Sequence, residues 1–382
     1  MSTSALKIIL TVAFSVWLST VCYATSSGQE KPIKVGLVFD LTGKREPALD
    51  VVKGIELAVS HLREVNGLKI ELIKYNSESN AAGTKTAILS LLKDPPDVVI
   101  AEVDSSKAVI AAEMLESAKR VMITPYATSP AVTKGRKYIF RACFADDFQG
   151  KKLAIFASQN IKAKRVAIFS DGGELYSQTL AKSFREQFEN DGGKIVLDEK
   201  IMSSASSFKD QIDAAILHNV DAVFLPVYEQ TAARFINEAI ARTKKKLVFL
   251  GGDGWGASKT FKDIVFRKAS PVDAYWVSHY SGDFGDNTIK KLAEALLKST
   301  GEEFNASAAI GYDSMMVVGQ ALLRIKGSKL TQEALMNELR SMPAYRGASG
   351  TISYAGGQDP QKSLFIRKID GNKMGFVTEI KP

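Results

Sequence analysis

Short apolar runs alternate with stretches of helical periodicity along most of this chain, and no other feature constrains its fold as strongly. The run Ile33 to Phe39 is apolar apart from Lys34 and Gly36. Between Pro47 and Val65, apolar residues recur at the spacing of one helix face. Strands that are apolar on both faces and alternate with helices form parallel sheets covered on both sides. The pattern therefore predicts an α/β fold.

The alternation occurs twice, in two series separated by a polar break at Phe144 to Phe148. A chain of 382 residues exceeds what one hydrophobic core ordinarily serves, so we predict two doubly wound parallel-sheet lobes. After Gly285 the pattern is mainly helical, and we expect these helices to return to the first lobe. The runs TISY (351–354) and LFIRKI (364–369) would then complete the second lobe.

Several chain crossings are expected between the two lobes, near Asp146, Tyr280 and Gly350. Multiple crossings are typical of two lobes that close around a hinge and not of two domains joined by a single flexible linker. The predicted division is a first lobe of residues 31–145 plus 281–350 and a second lobe of residues 146–280 plus 351–382.

The first two dozen residues have the order of a secretory signal peptide. Lys7 precedes an apolar run from Ile8 to Leu18, and the small residue Ala24 follows. The run is shorter than a membrane-spanning helix requires. We therefore expect cleavage after Ala24 and export to the periplasm. Lipidation at Cys22, within the run LSTVC, is the alternative.

The sequence lacks the motifs of common catalytic and metal sites. Its three histidines, His61, His218 and His279, are far apart, and each is expected to be structural. No HExxH, GxSxG or GxxxxGK[ST] pattern occurs. The net charge is +8, but the basic residues are scattered and lack interleaved aromatic residues, which argues against a nucleic-acid partner. We therefore expect no metal site and no cofactor, and the missing motifs argue against hydrolase and NTPase activity.

The glycine-rich segment GGDGWG (251–256) follows a predicted strand. Its spacing does not match the GxGxxG dinucleotide fingerprint, and the carboxylate of Asp253 would repel a pyrophosphate. The same carboxylate would attract an ammonium group. Its alternative role is to cap the helix expected to begin near Ser258.

Two hydroxyl-rich loops also follow predicted strands, EVDSS (102–106) and TPYATSP (124–130). In an open α/β sheet, loops at the carboxyl ends of the strands line the ligand crevice. Hydroxyl groups and free backbone N–H groups at a helix N-terminus suit an anionic group such as a carboxylate. The alternative for Ser105, and for Thr128 or Ser129, is simple helix capping.

Several short motifs occur in a specific order along the chain. They are LTG (41–43), Ser105, PYATSP (125–130) with Thr133, GGDGW (251–255) and GYDS (311–314). This order resembles that of the type I periplasmic binding proteins, in particular the leucine/isoleucine/valine-binding branch, over nearly the whole chain after the signal peptide. The resemblance implies a monomeric Venus-flytrap clamp that delivers a small molecule to an ABC permease in the inner membrane.

The resemblance also implies ligand-binding roles for six residues, which are Ser105, Tyr126, Thr128, Tyr176, Tyr228 and Asp253. In this family, hydroxyl and backbone N–H groups of the first lobe hold the carboxylate of the ligand, the role that the first three residues match. An acid of the second lobe, here Asp253, meets the amino group, and aromatic residues, here the last two tyrosines, close over the ligand. The implied ligand is an amino acid or an amino-acid-like molecule.

The chain departs from the family pattern at several positions, so the sequence does not predict the side chain of the ligand. Ala101 and Glu102 stand where the family usually has Gly-Pro, and Lys107 lies one turn into the next predicted helix. Either Glu102 and Lys107 are solvated, or Glu102 faces the crevice and favours a cationic or amide-bearing ligand. The loop from Lys44 to Leu49 lacks the small residues usual in the family, so its ligand contacts are also open.

Two other functions are compatible with the sequence. The same clamp serves as a ligand sensor in related families, and a neighbouring permease gene would distinguish transport from sensing. An exported α/β enzyme would use Asp171, Asp253 or Glu102 as its acid or base, although no nucleophile–base pair is visible in the sequence. Turnover of a candidate ligand would identify an enzyme.

Overall fold

The computed structural model describes residues 31–382 with the exception of residues 45, 244–246, 257–272, 283–286, 302, 326–329 and 371–372. The predicted signal peptide, Cys22 and the helix expected near Ser258 lie outside the described residues. Strands alternate with helices along the rest of the chain, and most neighbouring strands are parallel. The predicted α/β fold with doubly wound parallel sheets is confirmed.

The first sheet is built from the amino-terminal part of the chain. Its strands are β1 (Ile33–Phe39), β2 (Glu64–Val65), β3 (Leu68–Asn76), β4 (Val98–Ala101), β5 (Met122–Thr124) and β6 (Ile139–Arg141). They lie in the order β2-β3-β1-β4-β5-β6, and only β2 is antiparallel to its neighbour. Strands β4, β5 and β6 are buried at every position, as expected of strands covered on both faces.

Ten α-helices are present among the described residues. They are α1 (Glu46–Leu62), α2 (Ala81–Leu91), α3 (Ser105–Ser117), α4 (Asp146–Gln159), α5 (Leu175–Asn190), α6 (Lys209–Leu217), α7 (Glu229–Arg242), α8 (Asn287–Thr300), α9 (Ala306–Arg324) and α10 (Gln332–Ser341). Helices α1, α8, α9 and α10 share one hydrophobic core with the first sheet. Helices α2 and α3 contribute to a second core that includes residues from the same sheet.

Two glycines allow α1 and α9 to cross closely. A Cβ atom added at Gly54 would lie 2.0 Å from the carbonyl oxygen of Ala308. One added at Gly311 would lie 2.2 Å from the carbonyl oxygen of Val51. The glycine of the GYDS motif therefore serves helix packing, because any larger residue would push the two backbones apart.

The aspartate of the same motif supports the turn formed by Ala348 and Ser349. The carboxylate of Asp313 accepts the backbone N–H groups of Ala348 and Ser349, each at 2.7 Å. The ammonium group of Lys362 donates to the hydroxyl oxygen of Ser349. These side chains are buried, so the GYDS motif stabilises the fold at this position.

Seven of the next nine strands among the described residues form the second sheet. The remaining strands of the chain are β7 (Arg165–Asp171), β8 (Lys194–Ile201), β9 (Ala222–Leu225), β10 (Val248–Gly251), β11 (Asp273–Ser278), β12 (Tyr345–Gly347), β13 (Gly350–Ile352), β14 (Leu364–Asp370) and β15 (Lys373–Ile380). The order in the second sheet is β15-β14-β11-β10-β9-β7-β8, in which β7 to β11 are parallel and the two carboxy-terminal strands are antiparallel.

Each sheet has a point at which the strand order reverses. Strand β1 lies between β3 and β4, and strand β7 lies between β8 and β9. At such a point the connections leave towards opposite faces of the sheet, and a crevice opens at the carboxyl ends of the strands. Ser105 comes shortly after β4, and Tyr228 comes shortly after β9. The topology therefore places these residues at the edges where ligands bind in open α/β sheets.

The predicted polar break at Phe144 to Phe148 is wrong in detail. Helix α4 begins inside this predicted break, at Asp146. The carboxylates of Asp146 and Asp147 occupy its first turn, where the unpaired N–H groups of a helix favour negative charge.

The expected place of the run TISY (351–354) is also wrong. It does not join the second sheet, because β13 pairs with β12 in a separate two-stranded sheet. Ile352 and Tyr354 are buried in the core that covers the first sheet. The periodicity of so short a run indicates a strand but does not indicate its partner.

Candidate functional site

One cavity is lined by all six residues that the resemblance implied, namely Ser105, Tyr126, Thr128, Tyr176, Tyr228 and Asp253. The other lining residues are Pro47, Val103, Glu229 and Gly254. The space in this first cavity is about 330 Å³, which includes space continuous with solvent. Three of the six residues follow strands of the first sheet and three follow strands of the second.

Hydroxyl groups line the side of the cavity formed by the first sheet. Ser105 is the first residue of α3, and its Oγ accepts the backbone N–H of Ser129 at 3.1 Å. Asp104 is the N-cap residue of α3, and neither Asp104 nor Ser129 makes a side-chain capping bond. Simple capping therefore does not account for Ser105 or Ser129. Thr128, like Ser105, is only 1% exposed.

Arg141 holds the Thr128 loop from behind. Its fully buried guanidinium donates to the carbonyl oxygens of Ala127 at 3.0 Å and Ser129 at 2.9 Å, the residues on either side of Thr128. Its Nε donates to Asp359 at 2.6 Å. The planar, multidentate guanidinium suits this set of acceptors. It fixes the backbone on both sides of Thr128.

Two tyrosines form part of the opposite wall. The rings of Tyr176 and Tyr228 stack with their centroids 5.1 Å apart and their planes inclined by 14°. The hydroxyl oxygen of Tyr176 accepts the N–H of Gly254 at 3.1 Å. A Cβ atom added at Gly252 would lie 2.3 Å from this oxygen, so the glycine allows the GGDGW turn to approach the ring.

Asp253 belongs to a buried polar network at the second sheet. It is 2% exposed, its Oδ1 accepts the amide N–H of Gln149 at 2.9 Å, and its Oδ2 lies 3.0 Å from Nε2 of His279. The same amide nitrogen of Gln149 donates to Asp146 at 2.8 Å. Burial raises the pKa of Asp146 to about 7. The network orients the carboxylate of Asp253 at the cavity wall.

His279 is one of the members of this network that the sequence did not reveal. It was expected to be structural, but it contacts Asp253, stacks on Phe144 with ring centroids 3.8 Å apart, and meets the edge of Tyr126. Burial lowers the pKa of His279, so its ring is neutral and its Nε2–H donates to the carboxylate. The available signal was its position directly after β11, at the same edge as the other site residues.

Direct hydrogen bonds join loops of the two sheets beside the cavity. The hydroxyl of Ser106 donates to Glu174 at 3.1 Å and accepts the N–H of Leu175 at 3.2 Å. The hydroxyl of Tyr126 donates to the carbonyl oxygen of Asp253 at 3.4 Å. These contacts hold the two walls of the cavity together. The cleft between the walls is therefore closed in this structure.

Comparison with known proteins places this architecture in one family. The family model described as a periplasmic binding protein matches residues 32–373. The chain belongs to the periplasmic binding proteins. This family consists of binding proteins, and its name implies a location outside the cytoplasm. Within the described part of the chain, no helix combines the length and the apolar character needed to cross a membrane.

Relatives of this periplasmic binding protein include amino-acid-binding proteins. Leu/Ile/Val-binding protein homolog 3 of Brucella melitensis is 24% identical over 382 residues, which cover 97% of this chain and 98% of the relative. The leucine-specific-binding protein of Salmonella typhimurium is 26% identical over 310 residues, which cover 80% of this chain and 82% of the relative.

Two solved structures show the same fold over most of the chain. The leucine-binding protein LivK of Thermotoga maritima is 28% identical with a TM-score of 0.84, and the match covers 92% of this chain and 99% of that one. The branched-chain amino acid transporter substrate-binding protein LivJ of Streptococcus pneumoniae, solved with isoleucine, is 26% identical with a TM-score of 0.84, and the match covers 92% of this chain and 100% of that one.

Contrary to the solvated alternative, Glu102 is buried and Lys107 is largely covered. Glu102 is 1% exposed, and its carboxyl group accepts the hydroxyl of Thr84 at 2.7 Å instead of lining the first cavity. Lys107 pairs with Asp104 at 2.5 Å, and only 13% of its side chain is exposed. Burial raises the pKa of Glu102 to about 7. Glu102 therefore does not select the ligand by direct contact.

A second cavity adjoins the first across the tyrosine pair. Its space is about 580 Å³, which includes space continuous with solvent, and both Tyr176 and Tyr228 line it too. The segment from Lys44 to Leu49, whose ligand contacts the sequence did not predict, reaches both cavities. Pro47, in the first turn of α1, lines the first cavity, and Lys44, just before α1, lines the second. Most residues that line the second cavity carry polar groups, and its acids are Asp171 and Glu174.

Proposed function

We propose that this periplasmic binding protein is the extracytoplasmic solute-binding component of an ABC transporter and captures an amino acid or an amino-acid-like molecule. The observation that carries the proposal is a cavity with hydroxyl groups on one wall and a buried carboxylate on the other. Ser105 and Thr128 provide the hydroxyl groups, and Asp253 provides the carboxylate. These groups are complementary to the two charged ends of a zwitterion.

The two ends of the ligand would be held in different ways. Its carboxylate would accept hydrogen bonds from Ser105, Thr128 and nearby backbone N–H groups, with Tyr126 beside them. Its ammonium group would donate to Asp253, whose oxygens can each accept more than one hydrogen bond. Tyr176 and Tyr228 would cover the ligand. The names of the relatives support this assignment, because they bind leucine, isoleucine or valine.

Ligand capture would proceed by closure of two lobes around a hinge. We assign residues 31–145 plus 281–354 to the first lobe and residues 146–280 plus 355–382 to the second, with crossings near Asp146, Tyr280 and residue 355. The last boundary moves from the predicted position at 350 because Ile352 and Tyr354 lie in the core of the first sheet. A ligand that contacts both lobes favours the closed arrangement by its differential affinity for the two states. The hydrogen bonds from Ser106 to Glu174 and from Leu175 to Ser106 would add to that preference.

The cellular setting follows from the same proposal. A signal peptide of residues 1–24 would direct export to the periplasm, with lipid anchoring at Cys22 as the alternative. The protein would act as a monomer and present its closed form to an ABC permease in the inner membrane.

Binding without catalysis is favoured by the surroundings of the three acids that an enzyme would use. The carboxylate of Asp171 accepts backbone N–H groups of Gly173 at 2.8 Å and Ser203 at 3.2 Å. Glu102 accepts the hydroxyl of Thr84, and Asp253 is held by Gln149 and His279. Each acid therefore has a structural or ligand-holding role.

Calorimetric titration with L-amino acids and their amine-free analogues tests the proposal. At least one L-amino acid should bind with one-to-one stoichiometry. The carboxylic acid of the same skeleton without the amino group should bind at least about tenfold more weakly, because the ammonium contact is lost. Equal affinity for the amine-free acid would overturn the amino-acid assignment, and chemical conversion of a bound ligand would indicate an enzyme.

A further inference from the structure

The second cavity lies where the strand order of the second sheet reverses. Asp171 is the last residue of β7, Ser203 comes shortly after β8, and Val227 comes shortly after β9. Because β7 lies between β8 and β9, these three residues surround the reversal point at the carboxyl ends of the strands. Open α/β sheets bind their ligands at this position. Ser105 of the first cavity has the corresponding place in the first sheet, so each sheet contributes one cavity to the cleft.

The tyrosine pair connects the two cavities. The stacked rings of Tyr176 and Tyr228 line both of them. Ring faces provide apolar surface for the methylene groups of a ligand that reaches from one cavity to the other. Lys44, which follows β1 of the first sheet, lines the second cavity together with residues that follow strands of the second sheet. A ligand that spans the pair would therefore contact both lobes.

The lining of the second cavity suits a polar end group that donates hydrogen bonds. The carboxyl groups of Asp171 and Glu174 accept hydrogen bonds, and the side chains of Ser203, Gln230 and Thr231 can donate as well as accept them. An alkyl end group would displace water from these polar groups without replacing its hydrogen bonds. A carboxylate end group would meet two acids of the same charge.

The two acids are oriented by hydrogen bonds that leave them able to accept more. Oδ1 of Asp171 accepts the backbone N–H of Gly173 at 2.8 Å, and Oδ2 accepts that of Ser203 at 3.2 Å. Oε2 of Glu174 accepts the hydroxyl of Ser106 at 3.1 Å. A carboxylate has roughly four acceptor sites, so one or two hydrogen bonds do not saturate it. Acceptors that are already oriented cost less entropy when a ligand binds.

We propose that the ligand is an amino acid with a long side chain whose polar, hydrogen-bond-donating end group is bound in the second cavity. The inference rests on the proposed function, since it takes the α-carboxylate to be held by Ser105 and Thr128 and the α-ammonium group by Asp253. The side chain passes along the rings of Tyr176 and Tyr228. Carboxamide, urea and guanidinium groups are end groups of this kind.

L-Citrulline and L-2-aminooctanoic acid provide a matched pair of ligands for the test. Their side chains have nearly the same length, but one ends in a urea and the other in an alkyl chain. In calorimetric titrations, citrulline should bind at least about tenfold more tightly than 2-aminooctanoic acid, because only the urea can donate to the acids of the second cavity. Citrulline should also bind at least about tenfold more tightly than L-leucine, whose side chain is shorter and apolar.

Ser203→Trp tests the place of the end group. Ser203 lines the second cavity and is exposed, and tryptophan keeps the backbone N–H that donates to Asp171. The indole should obstruct the second cavity, so citrulline should lose at least about tenfold in affinity, and leucine should change by less than about twofold. Ser117→Trp adds the same bulk at the exposed last residue of α3, whose first residue is Ser105. This control should leave both affinities within about twofold.

The outcomes separate this inference from the proposed function. Leucine or 2-aminooctanoic acid binding as tightly as citrulline would overturn the inference and leave the proposed function intact. A preference for citrulline that persists unchanged in Ser203→Trp would overturn the role of the second cavity. Failure of every amino acid to bind would overturn the proposed function and the inference together. The comparison of the three ligands in the unaltered chain stands even if Ser203→Trp does not fold.

Discussion

Asp253→Asn should weaken binding of the amino-acid ligand by at least about tenfold, a loss of roughly 2 kcal/mol or more. Asp253 is buried at the wall of the first cavity, where a charge-assisted hydrogen bond to an ammonium group is not weakened by solvent. An asparagine amide carries no charge. Calorimetric titration of the parent and the variant with the same ligand measures the difference.

The structure also predicts that Asp253→Asn lowers the free energy of unfolding of the ligand-free protein, by about 1 to 3 kcal/mol. Gln149 and His279 each direct a hydrogen-bond donor at one carboxylate oxygen. The asparagine NH₂ group would face one of these donors, and that hydrogen bond would be lost unless His279 changes its tautomer. Had Asp253 only capped a helix, asparagine would have replaced it at little cost.

Thr128→Val is the control on the other wall of the cavity. It removes a hydroxyl from the carboxylate side of the ligand and leaves Asp253 in place, so it too should weaken binding. If Asp253→Asn binds as tightly as the parent while Thr128→Val does not, the ligand is held without an ammonium contact. The assignment would then change to a carboxylic acid that lacks an amine.

Glu102→Gln should make the free energy of unfolding less dependent on pH. Burial raises the pKa of Glu102 to about 7 in the folded protein, above the ordinary value of 4.5 that the unfolded chain has. The folded state therefore binds more protons than the unfolded state between these values, and stability falls as the pH rises through this window. Glutamine resembles the protonated acid and can still accept from Thr84.

The expected size of this effect follows from the two pKa values. Between pH 5 and pH 8, the parent should lose roughly 2 kcal/mol more stability than Glu102→Gln. Urea denaturation at the two pH values gives the comparison, and the titration of other groups, including Asp146, cancels in the difference. Parallel pH profiles for the two proteins would show that Glu102 is not protonated in the folded state near neutral pH.

Much of the fold could be predicted because its main determinant is local. A strand such as Ile33–Phe39 is apolar on both faces, and the helix that follows has one apolar face, so both periodicities are visible in the sequence. The place of residues 351–354 could not be predicted. Their pairing depends on Tyr345–Gly347 and on a core formed by distant helices.

The residues that line the first cavity could be predicted from the sequence for a related reason. Ser105, Tyr228 and Asp253 each come shortly after a strand, and the carboxyl ends of parallel strands meet at one edge of a sheet. Gln149 and Arg141 were missed because their roles come from tertiary contacts. Gln149 lies 104 positions before Asp253 in the chain, and Arg141 acts on the backbone beside Thr128.

Small-angle scattering during a titration with the ligand tests the central claim most directly, namely that two lobes close around an amino acid. The radius of gyration of the ligand-free protein in solution should decrease as the ligand saturates the site, and Asp253→Asn should require at least about tenfold more ligand for the same decrease. An unchanged radius of gyration at saturation, starting from a ligand-free state shown to be open, would contradict the account.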